Sequence, residues 1–272
     1  MYDPDKAHHK AYVRRQNSKY QGMHIVGNTK TKKFVDEGLL DDLSPEAIAG
    51  RLNTREKDIV GVSKDSIYRY VKSIYGRKIE AHRKHKKQRR RKRIFINPSI
   101  ADRVFIDKRP KQINTRQRVG DGEGDFVVSG KDGDGILLVV VDRKIRITFL
   151  ELIIKISIQA VHDAFLRIQK RFPEMKSLTL DNDILFRKHK ELSSLLGIPI
   201  YFCRPYHSWE KGSVENVNKY IRRDIRKGTN LSKLSPAFIA SLEAKLNRRP
   251  MKCLGYATPQ EKLDEYRKKK KH

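Results

Sequence analysis

Three acids in this chain, Asp125, Asp181 and Glu215, are spaced so that their carboxylates could do phosphodiester chemistry. Asp125 begins the apolar run in GDFVVSG. Asp181 closes SLTLD, and Glu215 falls in the first turn of a helix that follows IPIYFC. Carboxylates from three separated elements can converge on one spot and hold two divalent cations. Hard oxygen donors suit Mg2+ or Mn2+, and three acids gathered without a cation would repel one another. Two ions about 3.5–4 Å apart would activate a water or a 3′-hydroxyl and stabilise the leaving oxygen. The surroundings of Glu215 are basic: Lys211, Lys219, Arg222 and Arg223. Lys219 and Arg222, at +4 and +7, share its helix face, where they could hold a DNA phosphate beside the ions.

Other candidates carry less chemistry. Asp142 ends the run GILLVVVDR and is expected to pair with Arg143. Asp121 and Glu123 flank Asp125 on a turn, and at most one could assist it. Glu210 reads as a solvated acid just ahead of a helix, and His162 as a packed or exposed helix residue. His207 could contact DNA.

The elements that position these residues follow from periodicity. From Val119 onward GDFVVSG, GILLVVVDR and IRITFLELII read as three strands close enough for hairpin connections, the second a buried central strand. SIQAVHDAFLRIQKRF is helical, SLTLD a strand, ILFRKHKELSSLLG a helix and IPIYFC a strand, with a last helix starting near Lys211. That order is the ribonuclease-H-like one, an α/β fold.

Ahead of it the pattern is all-α. LSPEAIAGRL has Ser44 as N-cap, Pro45 at the first helical position and Glu46 near the positive helix end. Phe34, Val35, Leu39 and Leu40 could form one apolar face of a preceding helix. A second cap, Ser63, opens KDSIYRYVKSIYG, with Ile67, Tyr70, Val71 and Ile74 inward and Gly76 as a stop. Lys64, Tyr68, Arg69 and Lys72 remain for a surface that meets DNA. The organisation expected is a basic segment at 1–32, a helix-turn-helix domain at 33–76, a basic linker at 77–118, the α/β domain at 119–265 and a basic tail at 266–272.

Charge agrees with this division. The 272 residues carry 61 Lys+Arg against 32 Asp+Glu, a formal net charge of +29. Such an imbalance predicts attraction to polyanions, nucleic acid before membrane surfaces. GRKIEAHRKHKKQRRRKR, with one acid, suits phosphate contact without sequence reading. No apolar run is long enough to span a bilayer, the polar start is not a signal peptide, and the two cysteines, Cys203 and Cys253, form no metal or disulfide framework.

With these residues in view, the chain resembles bacterial DDE transposases of the insertion sequence 30 family. The stretches that carry the resemblance are GDGEGDFVVSG, VVVDRKIRITFLELI, LTLDND, IYFCRPYHSWEKGSVENVNKYIRRDIRKGTNLS and LNRRPMKCLGYATPQE. LSPEAIAGRLN with VSKDSIYRYV looks like the helical DNA-binding region of that family, and 33 residues separate Asp181 from Glu215 as the family's spacing requires. The resemblance implies that Asp125, Asp181 and Glu215 are the catalytic triad, with Trp209, Gly212 and Asn216 as positioning residues. It implies metal-dependent cleavage and strand transfer on double-stranded DNA, at element terminal repeats and at target sites. A homo-oligomer is expected, because two ends must be paired; a membrane or small-molecule partner is not. The expected location is cytoplasmic and nucleoid-associated.

Three departures stand out. The family's additional helix-turn-helix ahead of this region is expected to be missing from these residues. Asp181 is followed by Asn182, Asp183, Ile184, Leu185 and Phe186 where the family has Asn-Gly-x-Glu-Phe. A glycine there would allow a positive φ, in which Asp183 would be strained, and Asp183 adds a charge beside the ions. Gly122 stands where a tryptophan is usual. These departures support a second reading, a truncated, catalytically weak DNA-binding protein acting as repressor or element remnant. A ribonuclease-H-like nuclease without a joining step is a third.

Overall fold

Ser44 and Ser63 do what polar residues ahead of apolar-periodic runs should do: each hydroxyl accepts a backbone N–H, from Ala47 at 3.2 Å and from Ser66 at 3.1 Å. They open two helices of a computed structural model that describes residues 3–17, 22–84, 100, 102–129, 133–204 and 208–271. The chain divides into two compact units, one of residues 1–91 with 249–258, the other of 92–248 with 259–272.

The first unit is helical: α1 (Pro4–Asn17), α2 (Met23–Val26), α3 (Thr29–Leu40), α4 (Pro45–Thr54), α5 (Lys64–Lys72) and α6 (Arg77–Lys84). Ile25, Val35, Leu39, Ile48, Ile67 and Tyr70 close its core. At about 1.5–3 kcal/mol for each large apolar side chain removed from water, this set holds the short helices together. The Tyr70 hydroxyl, at the base of α5, donates to Asp36 at 2.6 Å. Leu40, expected inward, is exposed, because it is the last residue of α3 and the helix face has turned away from the core. The connection between α4 and α5 runs over 55–63, longer than a tight turn, and α5 stops at Lys72, short of Gly76. Lys64, Tyr68, Arg69 and Lys72 all lie exposed along α5.

Residues 249–258 complete this unit from far downstream. Tyr256 lies so close to Gly50 that a Cβ there would stand 2.1 Å from its ring, so α4 needs glycine at this point. Lys252 pairs with Glu46 at 2.7 Å, and Arg249 donates to the Asp42 carbonyl.

The second unit is built on a five-stranded sheet in the order β3-β2-β1-β4-β5. Its strands are β1 (Asp121–Val128), β2 (Ile136–Asp142), β3 (Thr148–Ile153), β4 (Ser177–Leu180) and β5 (Ile200–Phe202). β2 runs antiparallel to β1 and β3, while β1, β4 and β5 are parallel. This is the ribonuclease-H-like topology. The helices are α7 (Lys111–Asn114), α8 (Ile158–Arg171), α9 (His189–Leu196), α10 (Gly212–Asp224), α11 (Pro236–Asn247) and α12 (Pro259–Lys271). One sheet face buries Leu138, Val140 and Phe149 against α8 and α9. The other buries Val127, Val139 and Val141 against Val214, Val217 and Ile221 of α10 and the apolar side of α11. β2 is buried at every residue, as its unbroken apolar run requires.

Three expectations shift. β1 starts at Asp121, so Asp125 lies mid-strand rather than at its beginning; the small Gly122 and Gly124 still pair with β2. The stretch expected to be a linker is structured at both ends. α6 belongs to the helical unit, while Ile106 and Ile113 are buried in the second unit, and Phe105 bridges Phe202 to cover the open edge of β5. Apolar residues spaced among basic ones cover a sheet edge that water would otherwise meet. The stretch expected to be a tail continues α12 through Lys271, held by Arg267 on Glu174 at 2.8 Å, and residue 272 lies outside the described residues. Residues 85–99, most of the basic run, lie outside the described residues, as does His207.

Candidate active site

β1 alternates its side chains between the two sheet faces, and Glu123, Asp125 and Val127 share the face covered by α10. Asp181 follows the last residue of β4, the parallel neighbour of β1. The ring of Phe186, in the turn after Asp181, stacks on Phe126 of β1 with centroids 4.9 Å apart, which ties the Asp181 loop to the strand carrying Asp125.

The two aspartates meet around one cation, the ammonium of Lys211. Its Nζ lies 3.1 Å from Asp125 Oδ1 and 3.3 Å from Asp181 Oδ2, and the lysine side chain is only 6% exposed. Their other oxygens are held as well. Asn218 Nδ2 donates to Asp125 Oδ2 at 2.8 Å, and the Asp183 backbone N–H to Asp181 Oδ1 at 3.3 Å. Burial pushes the Asp125 carboxyl up to about 6, with Lys211 pulling against it and Asp181 reinforcing it. Burial alone would lower the Lys211 pKa, but Asp181 and Asp125 outweigh it and hold the ammonium above its ordinary value.

Glu215 is placed differently. It sits half-buried in the first turn of α10, between Lys211 and Asn218 in helical phase, with no hydrogen-bond or ion-pair partner among the described residues. Among those residues no three Asp, Glu, His or Cys side chains gather closely enough to hold a metal ion. The structure thus brings Asp125 and Asp181 together and leaves Glu215 outside that contact, on the helix that carries Asn218. The donor set nevertheless suits a divalent ion. Two carboxylates already converge on one positive charge, and Asn218 Oδ1 is buried without a partner among the described residues.

Two residues from Asp125, Glu123 has a separate task. It is completely buried and paired with Arg143, and its Oε2 accepts the backbone N–H groups of Ser213 at 2.9 Å and Val214 at 3.0 Å. Those groups open α10, so a carboxylate there meets both the free donors and the positive helix end. Glu123 therefore fixes the helix that carries Glu215. Contrary to expectation, Arg143 is not the partner of Asp142. Asp142 instead accepts from Gly120, Lys144 and Ile145 backbone N–H groups at 2.7–2.9 Å, which fixes the turn at the end of β2. Asp121 is held by Arg118 and Ser177. Glu210 accepts from the Arg204 backbone, and His162 is packed in α8.

Both unusual residues fit their places. Asp183 has φ −68°, and its carboxylate caps the following 3-10 turn by accepting from Leu185 N–H at 2.9 Å, so no left-handed backbone or strain arises. A Cβ on Gly122 would stand 3.0 Å from Leu178 and 3.3 Å from Val140, so the neighbouring strands fill the space that a larger residue would need.

The basic candidates divide. Lys211 is turned inward and engaged with the aspartates, not with the surface, because two carboxylates, one mostly buried and one half-buried, converge on its ammonium. Arg222 is half-buried and donates to the Val128 carbonyl at 2.9 Å. Lys219 and Arg223 are exposed, the latter over the Tyr220 ring. Asn216 is exposed, whereas Asn218, which spacing did not single out, touches Asp125. Gly212 starts α10, and among the described residues a Cβ added there would meet nothing within 4 Å. Trp209 lies in the 3-10 turn Ser208–Lys211, and its side chain is outside the described residues.

Comparison with known proteins supplies the context. No family model matches the chain. It is 38% identical over 238 residues to the transposase for insertion sequence element IS4351 of Bacteroides fragilis, covering 85% of this chain and 72% of that protein. It is 32% identical over 257 residues to the transposase InsI for insertion sequence element IS30A of Escherichia coli K12, covering 87% of this chain and 65% of that one. Among solved structures, the catalytic core domain of BIV integrase aligns with a TM-score of 0.44 and 20% identity, over 56% of this chain and 99% of that one.

The sheet order defines a ribonuclease-H-like domain, preceded by a helical region, and the transposase relatives make it one of the polynucleotidyl-transferase type. The chain belongs to the IS30 family of insertion-sequence transposases.

Proposed function

We propose that this chain is a DNA transposase that cleaves the ends of an insertion element and joins them to target DNA. The observation that carries the reading is the convergence of Asp125 and Asp181 on one cation, with Glu215 one helical turn along from that cation's own residue. Asp125, Asp181 and Glu215 would hold Mg2+ or Mn2+, two ions in all. Bound there, the ions would make a water or 3′-hydroxyl nucleophilic at neutral pH and stabilise the departing oxygen.

The protein's share is orientation. Asn218 and the Asp183 N–H aim the aspartates, and Glu123 fixes α10 beneath Glu215. Lys219 and Arg223 reach the backbone phosphates, with Trp209, Gly212 and Asn216 shaping the same segment. Lys64, Tyr68, Arg69 and Lys72 of α5 engage duplex DNA at the element's terminal repeats. Hydrolysis forms a new P–O bond from water as the P–O3′ bond breaks; the freed 3′-hydroxyl then forms a P–O bond to a target phosphodiester as the target's own P–O3′ bond breaks and its 3′-hydroxyl departs. Pairing two ends calls for a homo-oligomer, acting on DNA in the cytoplasm. Among the described residues no helix is long and apolar enough to cross a membrane.

The test is Mn2+- or Mg2+-dependent nicking of a duplex carrying the element's end, with the parent chain, Asp181→Asn and Glu215→Gln. Cleavage by the parent alone, with DNA binding retained by all three, is expected. Equal cleavage by Asp181→Asn would sink the proposal.

A further inference from the structure

Lys211 stands where the chemistry has no need of a lysine. A DNA-binding lysine should be in water, yet this one is buried and points at the two aspartates. An ammonium has no lone pair and cannot coordinate a metal. It also carries the same sign of charge as the ion those oxygens would bind. Lys211 and a divalent cation therefore compete for the same two atoms, Asp125 Oδ1 and Asp181 Oδ2.

The partners of the aspartates make the arrangement specific. Asn218 and the Asp183 N–H take one oxygen from each carboxylate, leaving the other two aimed at a single point. Without a charge at that point, the largely buried Asp125 carboxylate and the half-buried one of Asp181 would face each other without a counter-charge. Lys211 can also leave. It is the N-cap of α10, with non-helical φ −112° and ψ 40° and no side-chain capping bond. Its flexible, unbranched stem lets the ammonium withdraw without unwinding the helix.

We infer that Lys211 is a built-in counter-ion of the catalytic pair, holding Asp125 and Asp181 in register until a divalent cation displaces it. This rests on the reading of those aspartates as metal ligands. It makes metal loading an exchange of one cation for another. The pair stays assembled beforehand, and the lysine's attraction to both acids weakens the apparent metal affinity.

Mn2+ binding to the full chain, measured by isothermal titration calorimetry, tests this without any reaction. Lys211→Gln should bind Mn2+ roughly tenfold or more tightly than the parent, because the competing charge is gone. Lys211→Arg, which keeps the charge, should not gain, and Asp181→Asn should lose most of its binding. A purely structural lysine predicts the opposite sign, since loosening the site would weaken metal binding. If Lys211→Gln binds no tighter while Asp181→Asn is impaired, the counter-ion role is overturned and the metal reading stands. If Asp181→Asn binds like the parent, both fall.

The parent chain gives a second reading should Lys211→Gln not fold. Amine labelling with acetic anhydride, followed by mass spectrometry, should find Lys211 protected without Mn2+ and modified in its presence. Protection unchanged at saturating Mn2+ would overturn the inference.

Discussion

Glu123 and Asp125 stand two residues apart on one face of β1, and each meets a basic side chain, yet their surroundings differ in kind. Glu123 is sealed: Arg143 and the first N–H groups of α10 satisfy it, and neither it nor Arg143 meets water appreciably. Asp125 is held by Asn218 and by a lysine it shares with Asp181, and it keeps a fifth of its side chain exposed. The first arrangement fixes a helix; the second leaves a charge balance that another cation could complete. Saturation by rigid donors marks scaffold, and dependence on one movable charge marks a site.

The comparison is sharpest in the rate of DNA cleavage. Asp125→Asn should lower metal-dependent nicking by on the order of 10²–10³-fold, the usual loss when a group stabilising transition-state charge is removed. Circular dichroism should show the fold intact. An Asp125→Asn protein that cleaves normally would erase the distinction between the two carboxylates.

The next effect lies on the other side. Glu123→Gln leaves the Arg143 guanidinium buried without its charge partner, and breaking such a pair costs about 3–5 kcal/mol. Urea unfolding should record that loss, whereas Asp125→Asn should hold or raise stability near neutral pH.

A smaller effect appears in pH dependence. Burial raises the folded-state pKa of Asp125 from the ordinary carboxylate range to about 6. Its protonated form therefore stabilises the fold fully at acid pH, and that contribution disappears as pH rises through about 6. In the presence of a chelator, stability should fall by about 1–2 kcal/mol across this window, and Asp125→Asn should flatten its share of the slope.

The smallest effects belong to charges outside both clusters. Lys72→Ala should leave folding unchanged and weaken binding to duplex DNA only a few-fold, while lowering the salt-dependence slope by about one if it meets a phosphate.

How much of this is legible in the sequence depends on the range of the signal. Helix caps at Ser44 and Ser63, the buried run of β2 and the order of strands and helices are local or periodic, and they read directly. So do the placement of Asp181 at a strand exit and of Glu215 in a first helical turn. The role of Lys211 does not read out, because a lysine's default is the surface and only the convergence of two distant acids turns it inward. Glu123 resembles a turn acid only when β1 is begun at Asp125 rather than at Asp121. Asn218 is within reach of sequence reasoning: it lies three residues from Glu215 and seven from Lys211, the spacing of a shared helix face. The strain expected at Asp183 presumes a glycine conformation that the turn does not adopt.

One signal is beyond local reading altogether. Residues 249–258 lie at the far end of the sequence, yet Tyr256 fills the space above Gly50 and Lys252 reaches Glu46. A stop codon just after residue 248 would therefore strip a wall from a helical unit whose other residues were all translated by position 91. During synthesis that unit must wait, incompletely packed, until residues 249–258 have been translated. Its assembly is tied to the emergence of the whole five-stranded sheet, and a nascent chain cut short before residue 249 cannot finish packing the unit it made first.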